Sequence, residues 1–205
     1  MLELLTAGVI MGLSAGFTPG PLLTLLISET LRHGIRSGIK VAIAPILTDL
    51  PIIALTFFLS TKLGDASTIL GLISLAGGSF VLWMGIKGLK TSAVEIKLVP
   101  KSPRSLTKGI VTNVLSPYPY IFWLTVGTPI LNKAMQSSMS WAVLFIVSFY
   151  ICIVGAKLLL AVLAGHSRSF LKGKVYLYTM RLLGLALCFF ALILFRDGLQ
   201  LTGML

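Results

Sequence analysis

Long apolar stretches separated by short, basic polar segments run along this whole chain. Residues 4–28, 66–86, 109–132 and 134–156 contain no charged residue. Each stretch reaches the roughly 20 residues that a helix needs to cross a bilayer. A helix of a soluble protein would need a polar face, which these stretches lack. The pattern therefore predicts an all-α, polytopic membrane protein.

Six transmembrane helices fit the pattern. The predicted spans are residues 4–28, 39–61, 67–90, 109–131, 139–164 and 178–200. The sixth is the least regular, because charged residues leave only Leu182–Phe195 uninterrupted. A five-span alternative, in which this segment is re-entrant, would move the C-terminus to the cytoplasm.

Charge along the chain predicts its orientation. The net charge is +11, and only 11% of the 205 residues are charged. Thirteen basic residues fall in or beside the first, third and fifth connections, against three in the others. The positive-inside rule then places these connections in the cytoplasm and both termini outside. Topology thus accounts for the basic charge, and we expect no nucleic-acid partner.

Two spans carry the same interruption about a hundred residues apart. The first reads FTPGP at Phe17–Pro21, and the second reads LSPYP at Leu115–Pro119. Proline inside a helix removes a backbone donor and displaces the carbonyl four residues earlier. Irregular backbone at membrane depth is tolerated only where protein surrounds it or a water-filled cavity adjoins it. Paired interruptions in two halves of a membrane chain indicate the substrate site of a transporter.

The interruptions divide the chain into two halves. Each begins with a proline-broken helix and continues with two more spans, so the predicted units are 1–90 and 109–205. Because three is odd, the second half enters the membrane from the opposite face, and the halves become inverted repeats. Residues 91–108 are predicted to form a cytoplasmic linker.

Freed carbonyls and nearby polar groups at the two breaks define a predicted substrate-binding site. The alternative is that each proline pair only kinks its helix for packing. The predicted substrate-binding residues are Ala15, Phe17, Thr18, Pro19, Gly20, Pro21, Asn113, Ser116, Pro117 and Pro119.

Asp49 is the one acidic residue deep inside a predicted span. A charged Asp there costs at least roughly 2.5–3.5 kcal/mol on insertion scales, so it should face the protein interior and have a partner. Lys157 in the fifth span is the candidate, and we predict a proton-coupling or counter-ion role for the two residues. A static ion pair and a Lys157 that snorkels to the interface are the alternatives.

A stripe of small residues lies on the first span. Gly8, Gly12 and Gly16 repeat at a spacing of four, which lets a neighbouring helix approach closely. Packing within the monomer is favoured over the seam of a homodimer.

At Thr18–Pro21 the chain resembles the LysE superfamily of amino-acid exporters. Chain length, the six apolar segments, Asp49 after Leu47 and Thr48, and the Ser116–Pro117 step extend the resemblance over nearly the whole chain. It implies a secondary exporter of amino acids or related small solutes in a bacterial or archaeal inner membrane, coupled to proton influx. It implies no cofactor and no enzymatic activity.

Other functions stay open. A metal or inorganic-ion exporter on the same scaffold lacks an intramembrane cluster of His, Cys or carboxylate ligands, so no metal site is predicted. A membrane thiol-disulfide carrier would need Cys152 and Cys188 within reach of one another. A non-transporting membrane scaffold has little reason to keep a carboxylate in hydrocarbon.

The cysteines separate two of these functions. The double variant Cys152→Ser with Cys188→Ser should transport solute at nearly the wild-type rate if the protein is an exporter. A thiol-disulfide carrier would lose its activity. Radiolabelled counterflow and a thiol-exchange assay on the same proteoliposomes measure both, and a thiol-exchange activity of the wild type that the double variant loses would favour the carrier.

Overall fold

The structure, a computed structural model, describes residues 2–62, 67–90, 104–167 and 173–204. Within these ranges the chain forms ten α-helices and one π-helical turn, with no strand. The predicted all-α fold is confirmed. Most of the predicted linker, residues 91–103, lies outside the described residues, and the next helix begins at Ser105.

The helices follow the predicted spans, and three of the spans are built from more than one helix. The first half contains α1 (Leu2–Phe17), α2 (Pro21–His33), α3 (Ile35–Ala42), α4 (Ala44–Lys62) and α5 (Ser67–Leu89). The second half contains α6 (Ser105–Val114), α7 (Pro117–Phe122), α8 (Thr128–Ser137), α9 (Met139–Ser167) and α10 (Gly173–Leu201). The π-helical turn Trp123–Gly127 joins α7 to α8.

Three stretches of the described chain are individually long and apolar enough to cross a membrane: Ile35–Thr56, Met139–Ser167 and Leu177–Leu201. The bent pair of α1 and α2 provides a fourth, and the apolar part of α5, Gly71–Lys87, is shorter. Helix α10 is continuous, with no internal break that a re-entrant last segment would need. The count of six spans stays a prediction.

The first proline pair ends one helix and starts another. Helix α1 ends at Phe17, and α2 begins at Pro21 after a bend of 61°. Pro19 has no N–H to bond the Ala15 carbonyl, and Gly20 has extended backbone with φ −178°. Pro21 occupies the first position of α2, where the N–H would have no partner in the helix anyway. The motif therefore breaks the span completely.

The second proline pair does the same. Helix α6 ends at Val114, and Ser116 is extended with φ −97° and ψ 132°. Pro117 opens α7, and Pro119 lies in the same first turn, where a missing N–H costs no helical bond. The two interrupted spans thus share one construction, in which proline begins the second helix.

Close helix packing joins the two halves. The glycine stripe of α1 lies along α9, where a Cβ on Gly16 would be 2.6 Å from the Ala156 Cβ and one on Gly12 would overlap the Phe149 carbonyl oxygen. The stripe is therefore buried inside the monomer. Helix α5 packs along α10 in the same way, with Gly85 against Cys188.

The main contacts between the first, second and third spans of the two halves follow a symmetric pattern. Helix α1 packs on α9, the second span of the other half, while α6 packs on α3 and α4, the second span of the first half. The third spans, α5 and α10, pack on each other. Exchanging the halves turns each contact into another of the set. Near the second break, Gly77 of α5 lies so close to the Leu115 carbonyl that no Cβ would fit.

The α1–α9 interface can be tested at a glycine. Gly12→Ala should lower the free energy of unfolding by about 1–3 kcal/mol, because a methyl group must displace the backbone of α9. Thermal unfolding in detergent, followed by size-exclusion chromatography, measures the loss. Gly155→Ala on α9 is the matched control, since nothing lies within 4 Å of its added Cβ. Equal melting temperatures for the two variants would contradict the packing.

Candidate functional site

The two breaks meet at one cavity of about 590 Å³. It lies between α1, α2, α4, the second break, α9 and α10. The described residues that line it are Met11, Ser14, Ala15, Thr18, Pro19, Gly20, Pro21, Leu22, Leu23, Pro45, Asp49, Thr112, Asn113, Ser116, Tyr118, Pro119, Phe122, Trp123, Phe149, Ile153, Lys157 and Phe190.

Most of the predicted site residues lie at this cavity. Eight of the ten predicted substrate-binding residues line it, as do both Asp49 and Lys157. Phe17 and Pro117 are not among the lining residues. Phe17 is 46% exposed on the surface of the molecule, and Pro117 is buried. The structure thus brings the two distant motifs together, while any binding by these residues stays a prediction.

Asp49 is held at the cavity by an amide from the opposite half. Its side chain is 4% exposed, and its Oδ1 accepts a hydrogen bond from Asn113 Nδ2 at 2.7 Å. The same Nδ2 donates to Thr48 Oγ1 at 2.6 Å. Thr48 Oγ1 also donates to Oδ1 at 3.3 Å, and the Tyr150 side chain is a further neighbour of the carboxylate. One oxygen of the carboxylate is therefore fixed by hydrogen bonds from protein side chains.

Lys157 contacts the broken helix directly. Its side chain is 4% exposed, and Nζ donates to the Gly16 carbonyl oxygen at 3.4 Å. This carbonyl is in the last turn of α1, where backbone acceptors lack helical partners and carry partial negative charge. No ion pair with Asp49 forms within 4.0 Å, so the direct partner of the ammonium is the backbone. The predicted pairing of the two side chains stays a prediction.

Side chains satisfy other carbonyls at the breaks. The Tyr120 hydroxyl donates to the Val114 carbonyl at 3.0 Å. Thr18 Oγ1 donates to the Ser14 carbonyl at 2.6 Å. Burying a polar backbone group without a partner is costly, so these bonds stabilise the irregular segments. The role of Tyr120 was not evident from the sequence, because a tyrosine in an aromatic run also fits ordinary packing.

An aromatic cluster forms one wall of the cavity. The Phe122 and Phe149 rings stack with centroids 5.3 Å apart, and Trp123 meets Phe149 edge-on at 5.5 Å. Leu22 and Leu23 from α2 and Phe190 from α10 add apolar surface. The sequence pointed to the aromatic run near the second break, but nothing in it linked that run to Phe149 or Phe190.

A second polar cluster lies at one end of the molecule. Glu29 on α2 is 3% exposed, and its carboxylate accepts hydrogen bonds from Ser105 Oγ at 2.6 Å and from the Lys108 ammonium. Arg32, Lys87 and Lys108 line a small pocket of about 80 Å³ around it. We call this the basic end. Its basic residues come from the first and third predicted connections, which therefore lie on the same face.

The cavity extends away from the basic end. Its lining reaches back along α1 to Met11 and forward past α7 to Trp123. On α2 the lining stops at Leu23, and on α6 it starts at Thr112. Since α2 and α6 are the halves of the broken spans that lead to the basic end, these two helices lie between the cavity and that end.

The part of the chain that the structure describes contains neither a metal site nor a disulfide. No group of three His, Cys, Asp or Glu side chains could hold a metal ion there. Both cysteines are free. Cys152 packs against Gly12 at the α1–α9 interface, and Cys188 packs against Gly85 at the α5–α10 interface. The two thiols thus belong to different helix pairs.

Comparison with known proteins places the chain in a family. It is 24% identical over 136 residues to the uncharacterized membrane protein YahN of Escherichia coli (strain K12), and the match covers 62% of this chain and 61% of that relative's length. No solved structure matches significantly. The family model described as LysE type translocator matches residues 13–198. Because the match covers nearly the whole chain, the protein belongs to the LysE type translocator family.

Proposed function

We propose that the protein is a secondary active exporter of amino acids or related small solutes, driven by proton influx. The observation that carries this proposal is the single cavity onto which both helix breaks open, with one carboxylate and one ammonium among its lining residues. Broken helices of this kind hold the substrate and the coupling ion in several transporter folds. Family membership supports the same class of function.

Alternating access provides the transport cycle. The site lies between two inverted three-helix repeats, and movement of the broken helices lets the cavity face one side of the membrane at a time. The main helix contacts map onto one another when the two halves are interchanged, and this supports the symmetry. In the described conformation α2 and α6 lie between the cavity and the basic end, which the positive-inside rule assigns to the cytoplasm. The cavity then opens to the outside, where solute leaves and a proton binds.

In this scheme Asp49 couples the export of solute to the entry of a proton. Its carboxylate binds either a proton or the amine of the solute, and each excludes the other. Asn113 and Thr48 fix the side chain at the cavity, so the same oxygen meets both ligands. Competition for one carboxylate makes the two fluxes opposite, which is the definition of antiport. The solute leaves as the proton enters.

Lys157 is the counter-ion. A buried ammonium needs compensating charge or hydrogen bonds, and the C-terminal carbonyls of α1 supply part of this. Asp49 supplies the rest through the cavity when it is ionised. Loading Asp49 with a proton or an amine removes that negative charge from Lys157, so the ammonium then depends on the end of α1 and on the solute.

The proposal also sets the surroundings of the protein. It lies in the cell inner membrane with both termini outside, and its partners are the lipid bilayer and the small-molecule substrate. The buried glycine stripe removes one candidate seam for a homodimer, because α9 already covers it.

The role of Asp49 can be tested by substitution. Asp49→Asn keeps the shape of the side chain and removes both the charge and the proton-binding site. We expect it to abolish efflux of preloaded solute from proteoliposomes placed in acidic medium, while the protein stays monodisperse in detergent. Radiolabelled amino-acid efflux measures the loss.

Glu3→Gln is the control, since Glu3 is an exposed acid on α1 far from the cavity lining. It should keep wild-type efflux. Undiminished pH-driven efflux by the Asp49 variant would remove this residue from the mechanism.

A further inference from the structure

We propose that the cavity selects neutral amino acids with a large apolar side chain over basic and acidic ones. This inference rests on the proposed function, because it names the substrate class of the same site. Three observations carry it: the charges that line the cavity, their incomplete hydrogen bonding, and the mainly apolar character of the remaining wall.

The charges match a zwitterion. Of the described lining residues, Asp49 and Lys157 alone are charged, and each is 4% exposed. The ammonium of an amino acid pairs with Asp49, and its carboxylate pairs with Lys157. The loaded site then has no net charge, which suits a compartment that must close inside a membrane.

Both groups have room for such partners. The hydrogen bonds to Asp49 from Asn113 and Thr48 both end on Oδ1, and Lys157 makes one long bond of 3.4 Å to Gly16. Thr112 also lines the cavity, is 2% exposed, and has a hydroxyl without a hydrogen-bond partner in the described part of the chain. This hydroxyl is a further donor for the substrate carboxylate. Buried polar groups without partners are costly, and the ligand would supply the partners.

A third charge on the solute would have no partner. The lining offers a basic side chain no second carboxylate and an acidic side chain no second ammonium. Moving an unpaired charge out of water is strongly unfavourable. The site therefore rejects basic and acidic amino acids because it leaves their additional charge unpaired.

Most of the remaining wall is apolar, and its uncharged polar members are Ser14, Thr18, Thr112, Asn113, Ser116 and Tyr118. Leu23 on α2, Phe122 on α7, Phe149 and Ile153 on α9, and Phe190 on α10 all line the cavity. Each methylene of the solute that contacts these side chains is removed from water, and this favours binding. Large aliphatic or aromatic side chains gain most from this wall.

Counterflow in proteoliposomes tests the substrate class. The wild-type protein should exchange radiolabelled leucine, methionine or phenylalanine at least about tenfold faster than lysine or glutamate at equal concentration, because the extra charge of lysine or glutamate loses its hydrogen bonds to water and finds no partner in the lining. Exchange of lysine or glutamate at an equal or higher rate would overturn the substrate class and leave the exporter function standing. Exchange of no amino acid above protein-free liposomes would overturn both.

Two adjacent phenylalanines provide a matched pair of variants. Phe190→Ala should raise the KM for leucine about tenfold, because Phe190 lines the cavity. Phe189→Ala removes the same side chain from a position that is 61% exposed and outside the lining, and it should leave the KM within about twofold. Equal KM values for the two variants would overturn the apolar wall as the specificity element.

A different observation carries a second inference. We infer that the cluster of Glu29, Ser105 and Lys108 is the latch that closes the cavity at the basic end. It joins α2 to α6, which are the halves of the two broken spans on that side. Glu29 lies two turns beyond Leu23, the last lining residue of α2, so the bond is about 9 Å past the end of the cavity.

The latch is built to hold and to release. Glu29 is 3% exposed, yet the Lys108 side chain is 32% exposed, so water reaches one partner of the ion pair. The Glu29 carboxylate also lies at the first residue of α6, where the positive end of the helix dipole favours a negative charge. Moving α2 away from α6 breaks the hydrogen bond to Ser105, the ion pair with Lys108 and the interaction with the helix dipole. Water then solvates the separated charges.

Accessibility from the basic end tests the latch. A Leu23→Cys reporter in the Cys152→Ser, Cys188→Ser background is labelled with a membrane-impermeant maleimide in vesicles that expose the basic end. Adding Lys108→Gln should raise the labelling rate at least threefold, because the latch no longer holds the closed state. Lys90→Gln is the control, since Lys90 is exposed at the same end and has no ion pair in the described structure.

A second variant covers the case in which Lys108→Gln does not purify as a single species. Glu29→Gln keeps a side chain of the same shape and a hydrogen-bond acceptor for Ser105, but it removes the charge that Lys108 binds. It should raise labelling to a similar extent. Labelling at the wild-type rate in every folded latch variant would overturn the inference.

Discussion

Backbone hydrogen bonding in hydrocarbon is the constraint on which this structure depends. Each Pro-x-Pro motif removes two backbone N–H donors from a membrane span. The remaining polar backbone groups must still find hydrogen-bond partners, so each break has to be surrounded by protein or water. The protein meets this demand by placing both breaks at one cavity and by giving their carbonyls side-chain donors. Lys157 reaches Gly16, and Tyr120 reaches Val114. The irregular backbone that would destabilise a lone helix thereby becomes the polar part of a site.

Two buried charged side chains, each of which needs a partner, give the cavity its polar character. Asp49 and Lys157 are both nearly inaccessible to solvent, and they belong to different halves of the chain. Uncharged groups fix both side chains: the Asn113 amide and the Thr48 hydroxyl hold the carboxylate, and the end of α1 holds the ammonium. None of these contacts neutralises a charge. In the proposed mechanism, a solute with both charges pairs with the two groups at once and is released when a proton takes its place at Asp49.

The sequence predicted the architecture better than the site. Apolar run lengths placed the helices, and the proline motifs placed both breaks, because these signals are local and arise from strong steric rules. Asp49 and Lys157 were found because charge in hydrocarbon is rare. Their true contacts were not, since the Asn113 amide and the Gly16 carbonyl become partners only when distant segments fold together. Buried Glu29 was missed for the same reason. It lies at the end of an apolar run, where an acid is usually solvated, and only the arrival of α6 buries it.

The division between rigid and mobile contacts follows from the same packing. Helices α1 and α9, and likewise α5 and α10, meet at glycines where even a methyl group would collide with backbone, so these pairs cannot slide without losing their fit. Helices α2 and α6 are joined at the basic end by one polar cluster, and each is separated by its break from the helix that precedes or follows it. A proline-terminated break lets one half of a span rotate while the other stays packed. In the proposed transport cycle, access to the cavity changes by moving α2 and α6 relative to the two glycine-packed pairs.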